Sequence, residues 1–160
     1  MASFYNSEDE IEMLLQGFNT KTLPKEQWTH EAHLTGAVYF LSRYDYDEAL
    51  ALIRKAIAEY NIAVGGQNTP TSGYHETMTV FWMSVVCFFV EKQDGKNLFH
   101  ICNALLASPL ADKNLPFYFY GRDTILSPIA RAVFVAPDKT ILNHDTLNDV
   151  LQHDTGVASE

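Results

Sequence analysis

Three histidines carry the chemistry that this sequence offers. His30 and His33 lie three residues apart in the stretch Trp28 to Leu34, and His75 sits in the stretch Gly73 to Thr79. Neutral imidazole is the commonest metal-ligating side chain. Residues at i and i+3 share one helix face, so His30 and His33 can reach the same ion. A third histidine from a neighbouring helix, with one position left open for water, is the three-ligand pattern of a catalytic zinc site. A carboxylate from Glu76 or Asp123 would shift the preference towards iron, nickel or manganese. Water on such a metal has a lowered pKa and attacks near neutral pH. Two other roles stay open for the same residues. One is a metal-free polar pocket with a histidine as general base. The other is structural hydrogen bonding at helix starts, where the helix dipole keeps imidazole neutral.

These side chains need helices to position them. Ser7, with Glu10 three residues on, reads as a capping box, and Ile11, Leu14, Leu15 and Phe18 follow at helical spacing. That predicts a first helix over about 8–18. Thr29 caps a second over about 30–43, whose apolar stripe also carries His30 and His33. A third begins at an Asp cap after Arg43, shows Leu50, Ile53, Ile57 and Tyr60 on one face, and stops at Gly65-Gly66. A fourth is predicted over about 72–92, with His75, Thr79, Trp82, Val86 and Phe89 in line, and a fifth over about 97–107. Prolines and turn residues then break up the stretch to about 138, where Ser127-Pro128 marks a short helix carrying Arg131. From Lys139 the chain is polar and acidic. The predicted fold is therefore all-α: a single-domain up-down helical bundle of about five helices over 1–138, with an irregular C-terminal segment, and a loosely attached tail over 139–160.

Short connections favour antiparallel neighbours, so the starts of the second and fourth helices are expected at one end of the bundle. That brings His30, His33 and His75 together, and the segment Tyr120 to Asp123 is expected to cap them. Arg122 is then the candidate for gripping an anionic substrate, with Asp123 and Tyr74 as further catalytic candidates. Thr79 falls one turn beyond His75 and is a candidate pocket residue or partner to it.

Composition narrows the partners. The formal net charge is −9, with 20 acidic against 11 basic residues, and no dense basic run appears. Such a chain repels nucleic acid and anionic membranes. The apolar run Met78 to Val90 is 13 residues long, short of the ~20 that a membrane span needs. The N-terminus lacks the basic and apolar regions of a secretory signal. Cys87 and Cys102 sit within apolar patterns and read as reduced, buried thiols. A cytoplasmic protein is expected, and a homodimer is compatible with everything above.

The spaced combination Trp28 to Leu34 (W-T-H-x-x-H-L), Gly73 to Thr79 (G-Y-H-x-T-x-T) and Tyr120 to Arg131 (Y-x-R-x-x-x-L-S-P-x-A-R) resembles a family of short, uncharacterised bacterial helical proteins, over about residues 20–138. The chain is more loosely similar to the DinB-like helical bundles. There a single histidine and an H-x-x-x-H pair from another helix hold a divalent metal, and some members transfer thiols or hydrolyse. Here the pair is H-x-x-H and precedes the single histidine. The resemblance implies a metal-dependent hydrolase or transferase. The expected function is a metal-dependent enzyme acting on a small polar or anionic molecule, with zinc, nickel, iron or manganese at His30, His33 and His75. The rival expectation is a non-catalytic small-ligand-binding or interaction module using the same pocket without metal.

Overall fold

The computed structural model describes residues 4–153. Among these it is all-helical: α1 (Glu8–Asn19), α2 (His30–Arg43), α3 (Tyr46–Ala63), α4 (Glu76–Glu91), α5 (Leu98–Leu106), α6 (Pro116–Phe119), α7 (Arg122–Ile125), α8 (Pro128–Ala132) and α9 (His144–Gln152). Short 3-10 turns at Lys25–Gln27 and Pro109–Ala111 join some of them, and the one β-type pairing is an isolated bridge between Thr69 and Ser72. None of the described helices is long and apolar enough to cross a membrane.

Side-chain caps set the helix starts. Ser7, Thr29, Asp45 and Asn97 each accept a hydrogen bond from the backbone N–H three residues on, as the sequence suggests. The fourth helix begins later than its apolar periodicity predicts. His75 is its cap, in extended conformation, rather than part of its first turn. The preceding Gly73 explains why. Its φ is +80°, and a Cβ there would lie 2.1 Å from the Gln67 carbonyl oxygen, so the chain turns at Gly73 and can enter the helix only afterwards.

The core is continuous from α1 to α9. Ile11, Leu15, Val38, Phe81, Val85 and Leu105 are completely buried within it. The C-terminal half contributes more than the expected irregular segment. Phe119, Tyr120 and Ile125 are buried, and the Phe119 and Tyr120 rings lie 5.6 and 6.2 Å from Phe81. Burying an aromatic ring of this size stabilises by roughly 2–3 kcal/mol. The stretch after Lys139 also departs from the expected loose tail as far as residue 153. Asn143 and Thr146 form a reciprocal capping box, and α9 presents Leu147, Val150 and Leu151 to the core, with Leu147 only 2% exposed. A three-residue apolar stripe in a polar sequence is enough to dock one short helix. The rest of that expectation, 154–160, lies outside the described residues.

Candidate functional site

The starts of α2 and α4 border one cavity of about 490 Å³. His30, His33 and His75 all contribute to its wall, together with Tyr74 and Thr79. Apolar surface dominates the rest: Leu34 and Ala37 from α2, Ile53 and Ile57 from α3, and Met78, Trp82 and Met83 from α4. Asn61, one further turn along α3, closes the row. No Asp, Glu, Lys or Arg belongs to the wall among the described residues.

Each imidazole is fixed by hydrogen bonds that also define its tautomer. The Met78 backbone N–H donates to His75 Nδ1 at 3.1 Å, and an amide can only donate. The proton of neutral His75 is therefore on Nε2, which donates to the Ile125 carbonyl oxygen at 2.8 Å. Both ring nitrogens are spent. His30 donates from Nε2 to the Ala111 carbonyl oxygen at 2.8 Å, which leaves Nδ1 as the lone-pair nitrogen of the neutral ring. His33 donates from Nδ1 to the Thr29 carbonyl oxygen at 2.8 Å, which leaves Nε2. Burial pushes the His33 imidazole down to about 4, against the raising effect of the Thr29 bond and with help from nearby His30. Burial also lowers His75. His33 is thus a neutral acceptor at pH 7, far from the pKa near 7 that suits a general base.

The motif around His75 is a polar clamp. The Tyr74 hydroxyl donates to Glu76 Oε1 at 2.6 Å, and Arg54 grips the same carboxylate twice, from Nε at 3.0 Å and from an NH₂ at 2.6 Å. Burial raises Glu76, but the hydrogen bonds from Arg54 and Tyr74 outweigh it and hold the carboxyl below its ordinary range. Burial and the bond to Glu76 push the Tyr74 phenol up. Thr77 is fully buried; its hydroxyl donates to the Val133 carbonyl oxygen at 2.9 Å and accepts from the Val135 N–H at 3.0 Å. Thr79 donates to the His75 carbonyl oxygen, and Arg131 donates to the Gly73 carbonyl oxygen at 2.7 Å. Gly73, His75, Thr77 and Arg131 together tie the start of α4 to the segment 125–135.

The Trp28 motif is equally structural on one side. Trp28 stacks on Phe18 with ring centroids 3.9 Å apart, sits 4.3 Å from the His33 ring, and presses on α2 where Gly36 leaves room. Its indole N–H is buried and has no hydrogen-bond partner among the described residues. Trp82 differs: it lines the cavity and meets His30 edge-on at 4.9 Å.

The three histidines and Tyr74 border the cavity as expected from sequence, while Arg122 and Asp123 do not. Both are exposed on α7, where the Arg122 guanidinium lies 5.3 Å over the Phe117 ring. The cap expected from Tyr120 to Asp123 is instead anchored inward. Tyr120 is buried and donates to the Val135 carbonyl oxygen at 2.6 Å, and Asp138 accepts from the Gly121 N–H and from Thr124. What this segment delivers to His75 is the carbonyl of Ile125. A backbone acceptor has no sequence signature. Asn61 was legible in principle, since it continues the Ile53, Ile57 row at the same four-residue step. The fit to a three-histidine metal site is poor in this arrangement. A metal at His75 would have to displace either the helix cap or the bond to Ile125. Compared with protein-family models, curated proteins and solved structures, the chain gives no match.

Proposed function

We propose that this protein is a small-molecule-binding module, and that its cavity works without metal and without catalysis. One observation carries the reading: a cavity of about 490 Å³, within the range of small-ligand sites, has a wall without carboxylate, lysine or arginine, and each of its three imidazoles is fixed by a hydrogen bond to a backbone carbonyl. A metal on all three histidines would need a free lone pair on each ring, and His75 offers none, since one nitrogen accepts from Met78 and the other donates to Ile125. His33, pushed down to about 4 by burial, is a weak base. The ligand would be a small molecule rather than nucleic acid or membrane, given the net charge of −9. Both cysteines are free thiols, and burial pushes Cys87 up to about 11 and Cys102 up to about 12. That inertness suits a cytosolic protein.

A metal-dependent enzyme is the second reading, and one feature favours it. His30 and His33 each anchor one ring nitrogen on a backbone carbonyl and keep the other unshared, as metal-ligating histidines do. One experiment separates the two. Untagged protein is titrated with zinc, nickel, iron and manganese, and with a neutral aromatic probe such as naphthalene, following thermal stability and tryptophan fluorescence. Saturable binding of the probe, weakened at least tenfold by the cavity-filling Ile57→Trp, is the expected result. Stoichiometric metal binding lost in His33→Ala, with no binding of the probe, would overturn it.

A further inference from the structure

The protons of the cavity wall are unevenly spent. His30 and His33 give theirs to Ala111 and Thr29, His75 to Ile125, Tyr74 to Glu76, and Thr79 to the His75 carbonyl. Asn61 gives one of its two amide hydrogens to Asn68. What these groups retain is acceptor capacity, chiefly His30 Nδ1 and His33 Nε2, neither of which has a protein partner among the described residues. Asn61 and Trp82 are the wall side chains that keep an N–H to offer. A wall of this kind is complementary to a donor. It carries no group to neutralise a carboxylate, phosphate or ammonium, and removing such an ion from water into an apolar cavity is costly.

Shape adds a second constraint. A cavity of about 150 Å³ holds one benzene, so 490 Å³ has room for roughly two to three such rings. Trp82 and the His30 ring supply flat surfaces, and Met78 and Met83 are adaptable walls.

Resting on the reading that the cavity binds a small molecule, we propose that its ligand class is a neutral ring compound bearing a hydroxyl or N–H group, donated to Nε2 of His33. Phenols, indoles and alicyclic alcohols belong to this class; carboxylates, phosphates and amines do not. His33 is the residue that sets specificity, because its acceptor nitrogen is fixed by the bond from Nδ1 to Thr29.

The test compares four probes of one shape on the full chain at pH 7: 2-naphthol, naphthalene, 2-naphthoate and 2-naphthylmethylamine. Calorimetry or tryptophan fluorescence gives the affinities. 2-Naphthol is expected to bind about tenfold tighter than naphthalene, the worth of one well-formed hydrogen bond. The naphthoate and the amine are expected to bind more weakly than naphthalene. His33→Phe should erase the preference for naphthol over naphthalene, so that the ratio of the two affinities falls to about one. If that variant does not fold, nitrogen NMR of the unmutated protein replaces it: 2-naphthol, and not naphthalene, should shift the unprotonated ring nitrogen of His33. Equal binding of naphthol and naphthalene would overturn this proposal and leave the binding function intact. Preference for the naphthoate or the amine would overturn the neutrality of the ligand. Binding of none of the four would overturn the proposed function itself.

Discussion

The start of α4 and the start of α2 use the same ingredients to opposite ends. Each has a histidine, a threonine and a large aromatic residue at the helix entrance. At α4 every one of the polar groups is closed on another. His75 caps its own helix and holds Ile125, Thr77 bridges Val133 and Val135, and Tyr74 and Arg54 converge on Glu76. At α2 each ring is tethered by one nitrogen only, and the other is left over beside the cavity. Residue type therefore does not distinguish a fully satisfied histidine from one with a nitrogen to spare; the number of its hydrogen bonds made within the fold does.

If the α4 clamp is structural, breaking it should cost stability before anything else. Gly73→Ala is expected to have the largest effect. It forces a side chain to φ +80° and drives a Cβ towards the Gln67 carbonyl at 2.1 Å, where only backbone movement relieves the clash. A loss of ~3 kcal/mol or more in urea unfolding is expected. Thr77→Val keeps the shape but removes the buried hydroxyl that bridges the Val133 carbonyl and the Val135 N–H, two part-buried bonds. It should cost about 1–2 kcal/mol, and hydrogen exchange at Val135 should accelerate with it.

Acid should act on both helix starts. His33 has its folded-state pKa lowered to about 4 from 6.5, so the unfolded chain takes up the proton first. Its neutral form stabilises the fold fully above about pH 6.5, and that contribution is lost progressively as pH falls towards 4. The full shift corresponds to no more than about 3 kcal/mol, less where solvent reaches the ring. Thermal unfolding followed from pH 7.5 to 4.5 should show the decline, and His33→Gln should flatten it. His75 is lowered in the same direction, for a reason that belongs to the clamp. A proton on Nδ1 would face the Met78 N–H and break the cap. His75→Asn, which can still cap α4 but cannot reach Ile125, should cost about 1 kcal/mol and leave probe binding within a few fold.

Much of this was legible in the residues, and the illegible part has a physical pattern. Caps and apolar stripes are local, so Ser7, Thr29 and an aspartate after Arg43 announce helix starts correctly. The shared cavity of His30, His33 and His75 followed from apolar stripes and short connections. Helical periodicity runs straight through Gly73, because the constraint on it comes from Gln67, a carbonyl that no periodicity reveals. α9 was hidden because three apolar residues in a polar stretch have meaning only once a core exists to receive them. The partners that decide what each histidine can do are the carbonyls of Thr29, Ala111 and Ile125, and backbone oxygens are the same in every sequence.

Arg122 and Asp123 mark the limit of the comparison, and the smallest effects are expected there. Their sequence position, just after a buried tyrosine and close to the Ser127-Pro128 turn, suggested a cap over the histidines. In the fold the chain around them is pinned by Asp138, which accepts from Gly121 and Thr124, and the two charged side chains are exposed and take no part in the cavity wall. Arg122 keeps only an exposed approach to the Phe117 ring, worth about 0.5–1 kcal/mol at most. Arg122→Ala and Asp123→Ala should therefore each change stability by less than about 1 kcal/mol and leave 2-naphthol affinity unchanged within twofold. Were Arg122→Ala instead to lower that affinity tenfold, α7 would have to swing over the cavity when ligand binds. The polar closure of the α4 clamp, from Ile125 to His75, would then have to open in the same step, making the clamp part of the binding machinery rather than its scaffold.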